Sequence, residues 1–436
     1  MSKSDGITLS GNTLQNCHYG ISLFPSDDSI VSGNTLIGNV AHHIGLDNSD
    51  NNLVSANNIV GATMGTEDCA IRFSSGSTGN VIDGNTITMA TSDSWSTPLL
   101  YVIYVQGDVG SGDNTIKNNT ISGGKRGIQI DGGNSGTTTI ANNIINNSPT
   151  GPNYPIWGIG INGGSAVISD NTLTNTVRPV EFWDAINVTI SDNTIDGSTF
   201  DGINCGSASG AITISGNIIY NLSDWQFAVH GQVGADNILI DNNEMYNSYR
   251  GIGIESGCTG VSITNNDIYD NGWAAMELHE TVTTITGNTL INNWRGIETW
   301  SPITAHNNNI LFHQYGGVIL HHAGPHNATC NWWGSSSGPN VDGSGPGTGT
   351  SIVTNGNSVE YVPWLLGSAP DAECFDYNWH DGFEEIASCA VNAKNHGQFV
   401  SCVSHLTKDW LKGGLITAED KAAITKWAAK SDIGKK

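Results

Sequence analysis

An asparagine framed by apolar residues, apolar-x-x-Asn-x-apolar, returns along most of the chain and restricts it to folds made of stacked copies of one unit. The first copy is Leu9-Ser-Gly-Asn12-Thr-Leu14. The asparagine recurs as Asn34, Asn57, Asn85, Asn119, Asn143, Asn171, Asn193, Asn217, Asn243, Asn266, Asn288, Asn308 and Asn331, at intervals of 20 to 34 residues. A second motif follows each one: a small residue, then apolar residues at alternate positions, as in Gly20-Ile-Ser-Leu-Phe24 and Gly127-Ile-Gln-Ile-Asp131. Alternation of this kind marks short strands, and the Gly, Asn, Asp and Ser between them mark turns.

Two or three short strands in every two dozen residues describe a coil of a parallel β-helix. Successive coils stack about 4.8 Å apart, so equivalent positions form columns. An inward asparagine at one corner of each coil can bond to the coils on either side and satisfy backbone groups that the bend leaves unpaired. The fourteen asparagines are therefore scaffold. The expected fold is all-β, a right-handed parallel β-helix of about 13 coils with an internal asparagine ladder, plus a small C-terminal helical segment.

Charge narrows the partners. The chain of 436 residues has a formal net charge of −24. Residues 371–436 hold 10 acids and 8 lysines, so the rest carries 30 acids against 8 bases. A body this acidic repels nucleic acid and anionic membrane surfaces, and no apolar run is long enough to span a bilayer. The expected partner is a polysaccharide, with neither nucleic acid nor membrane; oligomeric state is left open. Met1-Ser-Lys-Ser-Asp5 leads directly into the first repeat without a signal peptide, so an upstream segment is expected to lie outside this sequence. Eight cysteines lack zinc-site spacing. One disulfide among Cys374, Cys389 and Cys402 would fit an exported, extracellular protein, and buried thiols would fit equally.

The repeat resembles the right-handed parallel β-helix superfamily, which includes pectate lyases, polygalacturonases and other polysaccharide-active enzymes. The resemblance covers roughly residues 5–365, and Asn327-Ala-Thr-Cys-Asn331-Trp-Trp-Gly-Ser-Ser-Ser-Gly-Pro339 looks like the closing coil of bacterial members. The Gly-His-Gly and Arg-Ile-Lys motifs of polygalacturonases and the Asp-Pro-His-Asp of alginate epimerases do not occur. The superfamily holds lyases, hydrolases, epimerases and inert adhesins, so the resemblance implies the fold without choosing a function. A β-helical domain is expected over 1–370 and a small α-helical module over 371–436. In that module Gln398–Lys412 is periodic and stops at Gly413-Gly414, and Thr417 caps a second helix ending near Lys430. It is expected to cap the last coil.

In the second motif the small and apolar residues face inward and those between face out. One outward column then reads Arg126, Trp157, Arg178, Asp201, Phe227, Arg250, Ala274, Arg295; the next reads Gln129, Gly160, Glu181, Asn204, His230, Gly253, Glu277, Glu298; a third reads Asp131, Asn162, Trp183, Gly206, Gln232, Glu255, His279, Trp300, His321. Register slips of one residue are considered before Tyr101 and Phe227, where loops are long. All five arginines fall in these columns. By contrast, the outward positions of the asparagine motif hold Ser, Thr, Asp, Gly and Asn. A sheet face rich in Arg, Glu, His and Trp suits an extended polymer: rings stack on sugars while carboxylates and guanidinium groups fix hydroxyls.

Glu277 and Glu298 fall on neighbouring strands, about 4.8 Å apart at the backbone. Such a pair favours one protonated and one ionised carboxyl, as glycoside hydrolysis requires. Glu255 is the alternate partner, with His230 and His279 in support and Gly253 leaving room for a sugar ring. Trp183 and Trp300 are expected platforms about 24 Å apart along one column. Arg250, Arg295, Glu181, Asp201, Asn204 and His321 complete the substrate contacts. The reading favoured is an extracellular polysaccharide-degrading glycoside hydrolase. A polysaccharide lyase or epimerase, with the arginines on a uronate and His230 or His279 as base, is the alternative; a non-catalytic glycan-binding adhesin is the third. No metal or other cofactor is expected, with calcium left open at Asp47, Asp50 and Asp131.

Overall fold

The structure is a computed structural model. It describes residues 4–61, 69–89, 101–106, 112–132, 136–146, 157–223, 225–280, 282, 284–343, 347–365, 367–370, 374, 382–413, 416 and 418–431. The chain forms two compact units, Met1–Ser262 and Ile263–Lys436.

In the first unit three parallel sheets run the length of a β-helix, each with ten strands among the described residues. The first sheet runs from Thr8–Ser10 to Ile238–Asp241, the second from Thr13–Gln15 to Glu244–Tyr246, and the third from Tyr19–Leu23 to Arg250–Ile254. Most strands of the first two sheets are three residues long, with a single buried residue in the middle, as in Thr120-Ile121-Ser122. Each sheet thus turns one aliphatic column inward: Ile82, Ile116 and Ile140 in the first, Ile87, Ile121 and Ile145 in the second, all fully buried. Each buried aliphatic side chain stabilises the fold by about 1.5–3 kcal/mol, and the repetition supplies the core.

The corner between the first two sheets explains the asparagine motif. Asn193 Nδ2 donates to Asn217 Oδ1 at 2.9 Å and to the Ile168 and Ser191 carbonyls at 2.9 Å. The same pattern links Asn12 to Asn243 in this unit and Asn266 to Asn331 in the second. The residue before each ladder asparagine has a positive φ, as at Gly84, Asn118, Asp170 and Asp192. That conformation suits Gly, Asn and Asp, which is why the motif begins as it does.

A second ladder went unread in the sequence. Ser29 N donates to Asn52 Oδ1, Asn52 N to Asn80 Oδ1 and Asn80 N to Asn114 Oδ1, at 2.8 to 3.0 Å. At a different corner, just after the strand Asp267–Tyr269, Asn271 N donates to Asn293 Oδ1 at 3.0 Å in the second unit. The signal was present: Asn52, Asn80 and Asn114 each precede a ladder asparagine by five residues, the span of one short strand.

The second unit continues the parallel pattern through Ala274–Leu278, Arg295–Thr299 and Gly316–Leu320 and ends in helices. The helix expected at Gln398 begins at His396, capped by Asn395, whose Oδ1 accepts from Gln398 N; it ends at Lys412 as expected. The next helix is Ala418–Lys430, and its proposed cap Thr417 lies outside the described residues. A helix at Gly382–Asn392 was not anticipated. The cysteines form two disulfides, Cys330–Cys374 and Cys389–Cys402. Cys330 ties the tail to the closing coil, and buried Trp427 donates Nε1 to Ser336 O at 2.8 Å. The helices are thus fixed to the coil they follow.

Candidate functional site

The third sheet carries the outward columns in the predicted register. Trp157 pairs with Arg178, Gly160 with Glu181 and Asn162 with Trp183; Asn204 pairs with His230 and His230 with Gly253. No slip occurs at Tyr101, which pairs with Cys69 and Arg126, or at Phe227, which pairs with Arg250. Glu277 pairs with Glu298.

In the second unit these columns produce a stacked row. The Trp300 ring lies between those of His279 and His321, with centroids 4.3 and 4.5 Å away and planes within 7° and 13° of parallel. Each histidine ends on a carboxylate: His279 Nε2 is 3.3 Å from Glu277 Oε1 and His321 Nε2 is 2.8 Å from Glu298 Oε1. Arg295 Nη1 also donates to Glu298 Oε1. The Arg295 guanidinium packs over Trp273, 4.0 Å from the ring centre, and 4.9 Å from that of Tyr315.

Two expectations change here. Glu298 faces away from the core, yet its side chain is only 1% exposed, so it cannot itself touch a sugar; Glu277 is 13% exposed. Arg295 and His321 both converge on Glu298 Oε1, and this covers it. Trp300 is not a face-on sugar platform either, because the two histidines occupy both of its faces and leave its edge.

The first unit holds two further clusters. His230 Nδ1 lies 2.8 Å from Asp201 Oδ2 and Nε2 3.3 Å from Glu255 Oε1. Asp201 is held in turn by the Phe227 backbone N–H at 2.8 Å. Burial pushes the His230 pKa down, but the hydrogen bond and charge of Asp201, with those of Glu255, outweigh it and raise the value. Glu255 is the open end of this relay, with its side chain 42% exposed. The room expected above Gly253 is filled by the Phe227 ring, which would stand 2.5 Å from a Cβ at that position. Arg250 Nη1 donates to Trp225 O at 2.7 Å, and the group packs on Phe227.

The other cluster centres on Glu181, which is buried. It accepts from Arg178 Nη1 at 2.5 Å, from Trp157 Nε1, and from Asn204 Nδ2 at 3.3 Å. Glu181 and Asn204 therefore serve each other more than a ligand. Trp183 is half-exposed and lies over Gly206, where a Cβ would collide with the indole. Sequence reasoning passed over Trp225 and Tyr249 and put Trp157 in an outward column without a role; the rings of all three cover arginines. The sign in the sequence was an aromatic residue at or just before the start of a third-sheet strand.

Among the described residues no group of three or more His, Cys, Asp or Glu side chains is arranged to hold a metal. Asp131, considered for calcium, accepts from Tyr104 Oη and Gln129 Nε2, each at 2.8 Å. No helix of the described residues is long and apolar enough to cross a membrane.

A family model described as right handed beta helix region matches residues 1–155 and 157–310. The chain belongs to that family. No curated protein matches it. Among solved structures it is similar to the periplasmic alginate epimerase AlgG, at 15% identity over 77% of each chain and a TM-score of 0.40. It is also similar to the catalytic domain of a GH87 alpha-1,3-glucanase in complex with nigerose, at 13% identity over 68% of this chain and 61% of that one, TM-score 0.40. The Dettilon tailspike protein is similar at 15% identity over 72% and 62%, TM-score 0.39.

Proposed function

We propose that this right-handed beta-helix protein is an exported enzyme that cleaves a polysaccharide, as a glycoside hydrolase, on the outward face of the strands Ala274–Leu278, Arg295–Thr299 and Gly316–Leu320. The observation that carries the reading is the row His279–Trp300–His321, in which each histidine is backed by a carboxylate of the same column pair. Hydrolysis of a glycosidic bond needs one group to protonate the leaving oxygen and another to take a proton from water. Glu277, partly exposed, serves as the acid. His321, with its side chain 31% exposed, serves as the base. Buried Glu298 acts through His321 as a positioning residue: its Oε1 fixes the ring with Nε2 toward the carboxylate and stabilises the cation formed on proton uptake. In this reading both predicted glutamates take part, and only Glu277 touches the substrate. The two disulfides suit an oxidising compartment.

One observation favours a second reading. Two histidine–carboxylate pairs on one face can supply a base for C5 of a uronate, which would make the enzyme a lyase or epimerase. Neutral and acidic polysaccharides incubated with the full chain separate these readings. New reducing ends without ultraviolet absorbance support the hydrolase. New ends with absorbance from an unsaturated sugar identify a lyase, and altered uronate stereochemistry without shortening identifies an epimerase. Binding with no chemical change identifies a glycan-binding protein.

A further inference from the structure

Four of the five arginines have an acceptor. Arg72 gives Nε and Nη2 to Gln106 Oε1 at 3.1 and 2.5 Å, Arg178 pairs with Glu181, Arg250 bonds to Trp225 O, and Arg295 pairs with Glu298. Arg126 differs. Among the described residues none accepts a hydrogen bond from it or forms an ion pair with it; its Nε is buried without a partner, as are those of Arg178 and Arg295, but those two have a carboxylate on Nη1 and Arg126 has none.

Its surroundings are built for a planar cation. Tyr101 and Trp157 stand opposite Arg126 on the strands before and after it. Their ring centres lie 5.4 and 4.1 Å from the guanidinium carbon. Trp157 is locked by its Nε1 bond to Glu181. Tyr101 stacks on Tyr104, with centroids 4.2 Å apart, and Tyr104 bonds to Asp131. Both rings are thus held in place from behind. The nearby acids are engaged elsewhere, Asp131 by Tyr104 and Gln129 and Glu181 by Arg178, Trp157 and Asn204. Cation–π contact offsets part of the cost of a desolvated guanidinium, but it leaves the in-plane N–H donors unsatisfied. A guanidinium held between two aromatic rings, with its in-plane donors free, suits a bidentate, planar anion.

We propose that Arg126 binds an acidic substituent of the glycan, a uronate carboxylate or a sulfate half-ester. The inference rests on reading this protein as glycan-active, and it makes the glycan an acidic polysaccharide. The net charge of −24 disfavours a dense polyanion, so the acidic groups are spaced along an otherwise neutral chain.

The test is calorimetric titration of the full-length Glu277→Gln protein, in which no cleavage intervenes. Three oligosaccharides of matched length serve as probes: a uronate oligomer, its carboxyl-reduced neutral counterpart and a sulfated galactan fragment. At least one acidic probe binds about tenfold or more tighter than the neutral one, and which one does so identifies the substituent. Arg126→Gln removes that preference. Arg126→Lys keeps the charge but loses the planar fork, and removes most of it. Lys117→Gln, which deletes an equal charge at the exposed Asp83 pair on the first sheet, leaves it intact. Thermal melting confirms that the variants fold. Equal binding of all three probes, or a preference that survives Arg126→Gln in a folded protein, overturns the proposal. Arg126-dependent binding by a wild-type protein that cleaves nothing upholds this site and refutes the enzyme; cleavage of neutral glycans indifferent to Arg126 does the reverse.

Discussion

Replacing Asn193 by Ala strikes the ladder where it is fully enclosed. Asn193 Oδ1 accepts from both the backbone N and Nδ2 of Asn171, each at 2.9 Å. Its own Nδ2 satisfies the Ile168 and Ser191 carbonyls and Asn217 Oδ1. Alanine therefore strands the buried Asn171 backbone N–H, leaves Asn171 Nδ2 with the Ile140 and Ser169 carbonyls, and takes a donor from the buried Ile168 carbonyl. At about 1–3 kcal/mol for each of these two unsatisfied groups, the loss is about 2–6 kcal/mol. The same substitution at Asn12 is the control. Asn12 is the exposed first rung, its side chain donates only to Ser10 O and Asn34 Oδ1, and its loss costs less than about 1 kcal/mol. Urea unfolding reads the difference. Hydrogen exchange at the Asn171 amide reads it locally, which matters because stacked coils contact only their neighbours and can open separately. Equal losses at the two positions, or a loss under about 1 kcal/mol at Asn193, would refute the view that the ladder stabilises by satisfying buried donors.

His230 titrates above its ordinary value of 6.5. Its contribution to stability is therefore fully present below the unfolded value and is lost as pH rises through the folded one. An imidazole NMR titration should show the raised value, and Asp201→Asn should lower it; a His230 value at or below 6.5 in the wild type contradicts the relay. Glu298→Gln keeps the shape but leaves the Arg295 cation without its carboxylate, and should cost about 3–5 kcal/mol by urea midpoint. A cost near zero would mean that the pair is not structural.

The periodic part of this molecule was legible from the sequence. Coil spacing predicts the register of the outward columns residue by residue, and it puts Glu277 and Glu298 on adjacent strands, as they are. Periodicity says which way a side chain points, but not what lies above it. Glu298 points outward and is buried, because Arg295 and His321 converge on it from the same strand and the next. Trp300 occupies the predicted column, and the column itself, by stacking identical positions at ring-to-ring distance, hides its faces between two histidines. Gly253 is likewise small as expected, but it admits the Phe227 ring. The second ladder and the Gly382–Asn392 helix were missed for different reasons. The ladder obeys a spacing that was present but unread, while the helix has no such repeat to announce it.

The most direct test of the central claim is the length of a susceptible polysaccharide after incubation with wild-type protein and with Glu277→Gln, read by size exclusion. The account predicts that the wild type shortens the chains and that Glu277→Gln, melting at the same temperature, is slower by about 100-fold or more. Equal shortening by the two proteins would show that the His279–Trp300–His321 face is not where the glycan is cut.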